Sequence, residues 1–516
     1  MAELSSAATS PHAQDDGPSP PGSYPVVVVG SGPGGLQLSY SLWRLGVRHA
    51  IISADEAPGG MFRRWPFFQR LLSWTKPFAP AERGTRAYER YDWNSLLGEE
   101  PETRALAPTV MDGTSYFPSR PEMERNLATF AERARIPVRY GTRWTATRTE
   151  PGPKGDRFVI ETTDGEYRCD VAVFAVGIAE PYIPSTPGFE LAAGYAETRA
   201  AETYAGKRIF IAGKQNSGFE LASGLLPWAR QIVIASPSPA RLSVNTRSLV
   251  GIRARYVQPY EDHVLGGGVS VLDASVDRIE RVPDGLRVKL LRTDGGTDVD
   301  IVVDEAIAAT GFVSPLLDLP ALGVATFGQS RLPAQTPFWE SATVPGIHFA
   351  GTIGQGSAGL KKHGIPANSG AVQGARYNAR VLARHIAERF GAPAIARPIA
   401  PDAIVNRLVE ELTESPELWH QKAYLAWAAS VSADGGFVDE GIKPLAHVLD
   451  SGGPDAVVLT LEADGSGAIY PVVYLRRGGS TEERTLDPQP FLDFRGPDHR
   501  AALADAVKAL GTAVVA

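Results

Sequence analysis

Two stretches of this chain repeat one order: a short apolar strand, a glycine-containing turn and then a helix-like segment. The first stretch is YPVVVVGSGPGGLQLSYSL, beginning at Tyr24, and the second is RIFIAGKQNSGFELA, Arg208 to Ala222. A further apolar run, HAIIS or QIVIAS, follows each of them. Uninterrupted apolar runs of this length are typical of buried parallel strands, so each stretch predicts a βαβ unit.

Two βαβ units predict an α/β chain with two Rossmann-like dinucleotide-binding domains. Each domain has the three-layer ββα arrangement. The segments CDVAVFAVGIAEPYIP and VDEAIAATGFVSPLLD are similar strand-and-turn pieces, which we interpret as crossovers out of and back into the first domain. We therefore predict a disordered leader, a first nucleotide domain in two parts, an inserted second one and a small C-terminal α/β region with a hairpin around Asp464. The leader covers residues 1–22, and the first nucleotide domain covers 23–200 and 304–395. The inserted domain covers 201–303 and the C-terminal region covers 400–516.

Composition limits the partners. The 516 residues carry a net charge of −7 without a basic stripe, which disfavours nucleic acid. No apolar run reaches the length of a membrane span, and the N-terminus lacks an apolar signal region, so we expect a cytoplasmic protein away from membranes. The C-terminal region carries no chemical motif, which favours packing or dimerisation, and hence a homo-oligomer, over a lid.

The first turn has the residue types that a dinucleotide needs. Its first glycine makes the tight strand exit, the second lets the backbone approach a pyrophosphate, and the last permits close helix packing. The helix N-terminus would then face the phosphates. The predicted cofactor-binding residues of this turn are Gly30, Ser31, Gly32, Pro33 and Gly35.

The second strand of the first unit ends without the usual acidic residue that holds the ribose. Counting back from Gly59-Gly60, the expected position falls on Ser53, and Asp55 follows two residues later. A serine hydroxyl can bind a ribose more weakly than a carboxylate, so either residue could make the contact.

The second turn lacks the middle glycine and has Gln215 in its place. If Gln215 must adopt a left-handed conformation, the cost is about 1–2 kcal/mol, well below the roughly 8 kcal/mol of a micromolar ligand. Downstream polar residues could cradle a 2′-phosphate and so favour NADPH, although solvated loop arginines are a nearly equal interpretation. The predicted second-site residues are Gly213, Lys214, Gln215, Asn216, Ser217, Gly218, Ser236, Arg241 and Arg247.

The order of motifs along the chain resembles that of the class B flavoprotein monooxygenases. These motifs are the two turns, the Gly59-Gly60 loop and the VFAVG and AATGF crossovers. The stretches Ser73–Lys76, Trp93–Leu96 and Pro118–Glu122 are similar to motifs of the N-hydroxylating branch, which acts on ornithine and lysine. Asn216-Ser217 is similar to the pair at the NADPH turn of these enzymes. The resemblance implies FAD in the first domain, NADPH in the second, and further FAD contacts from Gly60, Met61, Phe62, Gly177, Thr310, Gly311 and Gly351.

The chain also resembles the FAD-dependent oxidoreductase domain family, through YDWNSLL, GYAETRAAETYAGKRIFIAGKQNSGFE and GIHFAGT…GARYNAR. That family includes an endoplasmic-reticulum flavoprotein of animals. A single cysteine, Cys169, leaves no internal redox pair, so a disulfide reductase working through its own dithiol is disfavoured.

The monooxygenase resemblance implies that NADPH reduces FAD, that O2 adds to form a flavin hydroperoxide, and that a soft nucleophile takes one oxygen atom. The Baeyer–Villiger fingerprint is missing before the second turn, so the expected substrate is a small-molecule amine or amino acid that becomes N-hydroxylated. By the same resemblance Lys76 and Asn94 are the catalytic candidates; a solvated lysine and a turn-capping asparagine are their alternatives. The rival function is a non-oxygenating NAD(P)H-dependent reductase or a flavin-binding protein.

Overall fold

The first sheet of the computed structural model is built around β1 (Gly22–Val29). Strand β1 pairs in parallel with β2 (His49–Ile52) and with β5 (Gly165–Phe174), and β5 pairs in parallel with β17 (Ile347–Phe349). Strands β4 (Gly155–Thr162) and β3 (Trp144–Gly152) extend β5 in antiparallel fashion. The structure describes residues 17–64, 70–152, 155–243, 251–357 and 367–510.

Helices α1 (Pro33–Arg44), α2 (Ala107–Val110), α3 (Arg120–Arg133) and α6 (Val372–Arg389) belong to this half of the molecule. Val26 and Val28 of β1 face one core, which contains residues of α1, α3 and α6, whereas Val27 and Val29 face a second core under β3 and β4. Both faces of β1 are therefore covered, which explains why its last four residues are all valine.

The second sheet repeats this design. Strands β8 (Arg208–Ala212), β9 (Gln231–Ser236) and the start of β10 (Val269–Val282) pair in parallel, and β13 (Glu305–Ala308) joins β8 on its other side. From Ala274 onward β10 pairs antiparallel with β11 (Gly285–Arg292), with a register shift after Val276, and β11 pairs antiparallel with β12 (Val299–Val303). Strand β7 (Ala193–Gly194) pairs with the outer side of β13. Helices α4 (Asn216–Leu225) and α5 (Gln258–Val264) belong to this sheet, so the predicted pair of Rossmann-type folds is confirmed.

The chain passes between the sheets through two neighbouring crossovers. Strand β6 (Glu180–Pro181), after β5, pairs antiparallel with β14 (Phe312–Val313), after β13. Thr310 strengthens the pair, because its hydroxyl donates to the Tyr182 carbonyl at 2.5 Å. Strands β15 (Thr326–Phe327) and β16 (Leu332–Pro333) then form a small ribbon before β17 returns to the first sheet.

The C-terminal region forms an antiparallel sheet in the order β18-β20-β19-β21-β22-β23. The predicted hairpin is confirmed, because β21 pairs with β22 and Asp464 binds the turn amides of Ser466 and Ala468. The strands are β18 (Arg397–Ile399), β19 (Leu425–Val431), β20 (Phe437–Pro444), β21 (Ala456–Ala463), β22 (Ile469–Arg477) and β23 (Ser480–Thr485), and the helices are α7 (Ile404–Glu414), α8 (Pro416–His420), α9 (Leu445–Asp450) and α10 (Pro497–Lys508).

This region is docked on the first Rossmann fold by apolar and ionic contacts. Tyr424 and Leu425 enter the core that α1 and α6 share. Arg86, from the first fold, binds Glu411 of α7 and Glu417 of α8, each at 2.9 Å. Of the helices within the described ranges, none combines the length and apolar composition needed to cross a bilayer.

Candidate functional site

The first glycine turn has no room for side chains on its protein side. Gly30 has φ +113°, and a Cβ there would stand 2.5 Å from the Ala175 carbonyl oxygen. A Cβ on Gly35 would overlap the Gly30 carbonyl, which is the close helix packing predicted for Gly35. Gly34 was not among the predicted residues. A Cβ there would overlap the backbone of Gly351, which is a contact that only the fold reveals.

Gly32 differs from its neighbours. Its φ of −71° and ψ of −179° suit any residue, and no atom of the described residues lies within 4 Å of where its Cβ would be. Gly32 therefore faces open space at the N-terminus of α1, where backbone amides are available to an anion.

That space is part of a cavity of about 350 Å³, here called the first-turn cavity. The structure brings most of the residues predicted for the first site together in its wall. They are Gly30, Ser31, Gly32, Pro33, Ser53, Asp55, Gly60, Met61, Phe62, Gly177 and Gly351. Gly35 lies beneath them against Gly30.

At the rim that follows β2, Ser53 and Asp55 have different environments. Ser53 is buried, and its hydroxyl oxygen accepts hydrogen bonds from the Ser31 hydroxyl at 2.8 Å and the Asp55 amide at 3.2 Å. The Asp55 carboxylate is partly exposed and lies 3.8 Å from Arg64. Asp55 is thus the carboxylate that a ribose at this rim could reach, while Ser53 fixes the turn.

Several wall residues were not anticipated. Arg64 comes two residues after the predicted Gly60–Phe62 loop, so a basic residue near a phosphate-binding turn was the signal that could have found it. The others lie on segments distant in sequence and carry no motif, so only the fold reveals them. They are Thr142, Arg143, Trp144, Pro315, Leu317 and Thr352.

The second turn has the same steric design as the first. Gly213 has φ +115°, and a Cβ there would overlap the Ala309 carbonyl; a Cβ on Gly218 would overlap the Gly213 carbonyl. Gln215 occupies the position of Gly32 with φ −109° and ψ −165°, which is extended. The left-handed strain considered for Gln215 therefore does not arise, because the middle position requires no positive φ.

Two residues predicted for the second site, Lys214 and Asn216, have side-chain partners within the protein. Lys214 does not offer its ammonium to a phosphate: the side chain is buried, donates to the Leu272 carbonyl at 2.9 Å and pairs with Asp273. Asn216 uses both polar atoms of its amide within the protein, donating to the Gly251 carbonyl and accepting from the Arg253 amide, each at 3.0 Å. These residues hold the turn in place and fix the loop beside it.

The other residues predicted for the second site lie at separate places in the structure. Ser217 is partly buried in the first turn of α4, and Ser236 ends β9 opposite Asp273. Arg241 is exposed and forms no ion pair within the described ranges. Arg247 lies outside the described residues. Thr310 and Gly311 do not line the first-turn cavity; they bind Tyr182 in the crossover instead.

The two catalytic candidates also lie outside the wall of the first-turn cavity. Lys76 is exposed, with its ammonium 5.7 Å from the centre of the Trp74 ring. Asn94 is fully buried; its amide donates to Thr75 at 3.1 Å and accepts from the Ser73 hydroxyl at 2.5 Å. Asn94 therefore joins segment 73–75 to segment 92–95.

Cys169 is buried in the middle of the first sheet, on β5, where it pairs with Phe158 of β4. Burial raises the pKa of its thiol well above the ordinary value. The thiolate, which is the reactive form, is therefore disfavoured at this position.

Residues 27–351 match the family model described as pyridine nucleotide-disulphide oxidoreductase. Among curated proteins, the mouse FAD-dependent oxidoreductase domain-containing protein 2 is 32% identical over 44% of this chain and 34% of its own length. A ferredoxin–NADP reductase of Ralstonia pickettii is 24% identical over 64% of this chain and 79% of its own length. The chain thus spans about a third of the mouse relative that it matches.

Solved structures share the fold at low identity. A bacillithiol disulfide reductase of Bacillus cereus aligns with a TM-score of 0.54 at 17% identity, over 71% of this chain and all of that one. A flavin-containing monooxygenase of Stenotrophomonas maltophilia aligns at 0.53 and 21%, over 72% and 99%. An ornithine N-hydroxylase of Kutzneria aligns at 0.52 and 16%, over 72% and 100%.

Proposed function

The chain belongs to the pyridine nucleotide-disulphide oxidoreductase family, and from this premise we propose that it is an FAD- and NADPH-dependent monooxygenase. In the proposed reaction NADPH supplies two electrons, O2 supplies one oxygen atom to a small-molecule amine, and the other oxygen atom leaves as water. The product of a primary amine is then the hydroxylamine.

The residues of the first-turn cavity fit FAD. Gly32 leaves open space above the N-terminus of α1, where the pyrophosphate would accept backbone hydrogen bonds. Asp55 would hold the ribose, and Arg64 lies close enough to add positive charge near the phosphates. Bound there, FAD supplies two-electron chemistry that side chains lack.

The observation that carries the proposal is the state of Cys169. It is the chain's single cysteine, and it is fully buried in the first sheet with its pKa raised by burial. Electrons from NADPH therefore cannot pass to a dithiol of this chain, and the acceptor has to come from outside it. O2 meets this requirement in the proposed monooxygenase, and the experiment below distinguishes it from other external acceptors.

The choice of an amine rests on the collinear similarity of residues 73–76, 93–96 and 118–122 to the N-hydroxylating enzymes. The fold shared with the Kutzneria ornithine N-hydroxylase supports this choice. In this proposal Lys76 and Asn94 stay the catalytic candidates that the resemblance implies, although neither lines the first-turn cavity. The buried amide of Asn94 sets the position of residues 73–75.

The decisive experiment measures the fate of oxygen in the purified, FAD-loaded protein supplied with NADPH. NADPH oxidation, O2 uptake, hydrogen peroxide and hydroxylamine are followed together while a panel of small amines is screened. Amine-stimulated turnover with hydroxylamine equal to the NADPH consumed is the expected result. Cys169→Ala serves as the control and should keep this activity.

A reductase with an external acceptor is the second candidate, because neither Lys76 nor Asn94 lines the first-turn cavity. The similarity to the Ralstonia ferredoxin–NADP reductase is compatible with it. This candidate predicts rapid anaerobic transfer of electrons from NADPH to ferricyanide or a ferredoxin. Such transfer without oxygenated product from any amine would replace the monooxygenase proposal.

A further inference from the structure

A second cavity lies far from the first glycine turn, at the other end of α1. It has a volume of about 330 Å³, and residues of α1, α6, β18 and the loop after Trp93 form its wall. We call it the arginine cavity, because its charged wall residues are Arg44, Arg380, Arg384, Arg397, Glu89 and Glu99. Helix α1 rises about 17 Å from Pro33 in the first-turn cavity to Arg44 here.

The arginines of this cavity are only partly neutralised by the protein. Arg44 binds Glu99 at 2.7 Å and Glu100 at 2.9 Å, so its charge is matched. Arg380 lies 4.0 Å from Glu417 and also interacts electrostatically with Glu89. Within the described ranges, Arg384 and Arg397 form neither an ion pair nor a side-chain hydrogen bond.

The acidic wall residues do not make up the difference. Glu99 forms an ion pair with Arg44, and the Glu89 carboxylate accepts a hydrogen bond from the Tyr377 hydroxyl at 2.9 Å. Burial raises the pKa of the Glu89 carboxyl group, while the nearby Arg376 and Arg380 act in the opposite direction. Within the described residues, the positive charges of Arg384 and Arg397 are therefore left unmatched at the cavity wall, beside that of Arg380.

This arrangement favours an anionic ligand, with Arg380 and Arg397 exposed to solvent and Arg384 half-buried. Arg380 and Arg384 lie one helical turn apart on α6, and like charges at that spacing destabilise a helix. Arg397 adds a third guanidinium from a different element, β18. Guanidinium groups bind carboxylate and phosphate oxygens in pairs of parallel hydrogen bonds, so three that converge suit a multivalent oxyanion.

We propose that the arginine cavity binds a small organic polyanion, one that carries a phosphate group or several carboxylates. The volume exceeds that of a single phosphate ion and lies within the range of small-molecule sites. Leu45 and Leu97 in the wall offer apolar contact to the carbon skeleton of such a ligand. The site is separate from the proposed FAD and NADPH sites and does not depend on the proposed reaction.

The test is a calorimetric titration of the FAD-loaded protein, saturated with NADP⁺ so that the nucleotide turns are occupied. Inorganic pyrophosphate and citrate are the two probes at constant, low ionic strength, and they separate phosphate from carboxylate ligands. We expect saturable binding of at least one probe at one site. Arg384→Ala combined with Arg397→Ala should weaken it about tenfold or more.

Matched controls decide where the anion binds. Arg389→Ala removes a charge from the same helix outside the cavity and should leave the affinity unchanged. Arg384→Lys keeps the charge but loses the planar fork, so binding weaker than wild type and stronger than in the double variant is expected. Circular dichroism checks that each variant is folded.

Three results would overturn the proposal. One is the absence of saturable binding of either probe to the wild-type protein. Another is full retention of binding by Arg384→Lys and by the folded alanine double variant. The third is loss of binding in Arg241→Ala alone, which would locate the anion at the second glycine turn.

Discussion

At the residue scale, Gly32 and Gly35 have different roles in one turn. Gly32 faces open space with an ordinary φ, whereas a Cβ on Gly35 would overlap the Gly30 carbonyl. Gly32→Ala should therefore fold with nearly unchanged stability and lose FAD affinity by at least about tenfold, because the methyl group stands where the pyrophosphate would lie. Gly35→Ala should lose about 1–3 kcal/mol of unfolding free energy from overpacking.

The measurements are urea unfolding of the two variants and FAD release followed by fluorescence. If Gly32→Ala kept full FAD affinity, the pyrophosphate would not lie on this turn. Gly35→Ala with wild-type stability would mean that the helix can shift away from Gly30 at little cost.

Gln215 gives a second prediction at this scale. Because its backbone is extended, Gln215→Gly relieves no strain and should cost no more than about 1 kcal/mol of stability. Removal of the side chain clears the space that corresponds to Gly32, so the Kd for NADPH should stay equal or fall. Fluorescence titration with NADPH measures this; a tenfold rise in Kd would identify the glutamine side chain as a nucleotide contact.

At the scale of elements, Arg86 fastens α7 and α8 to the first Rossmann fold. It binds Glu411 and Glu417, which are both buried, at 2.9 Å. Removal of one partner from a buried ion pair costs about 3–5 kcal/mol. We expect about 2–3 kcal/mol for Arg86→Met, because Arg86 is 37% exposed and Glu411 keeps Arg407 at 2.7 Å.

Chemical denaturation of Arg86→Met tests this prediction. Arg83→Met, an exposed position in the same loop, is the matched control and should change stability by less than about 0.5 kcal/mol. Equal effects of the two substitutions would show that the ionic contact does not hold the C-terminal region in place.

At the scale of the whole molecule, buried histidines make stability depend on pH. Burial lowers the pKa of His348 to about 3, and Glu340, 4.0 Å away, is too distant to offset this. Burial also lowers the pKa values of His385 and His447, which flank Phe338 between the first fold and the C-terminal region. The unfolded chain takes up protons near pH 6.5, whereas folded His348 stays neutral.

The contribution of His348 is therefore complete above about pH 6.5 and is lost as the pH falls from there toward 3. Its slope approaches about 1.4 kcal/mol per pH unit within that window. Urea unfolding at pH 7.5 and pH 5 should show a smaller loss of stability for His348→Asn than for the wild type. The same pH dependence in both proteins would contradict the assignment.

The local patterns of the sequence determined the two strand–turn–helix units, the α/β class and the hairpin at Asp464, because strand periodicity and glycine sterics act over a few residues. They also indicated most of the first-turn cavity, since its glycines and the Gly60–Phe62 loop lie within motifs. Only the tertiary structure decided that Gly34 packs on Gly351, that Lys214 is paired with Asp273, and that Arg44, Arg384 and Arg397 share a cavity. Those facts depend on which segments the fold brings together across tens to hundreds of residues, and no local pattern encodes that distance.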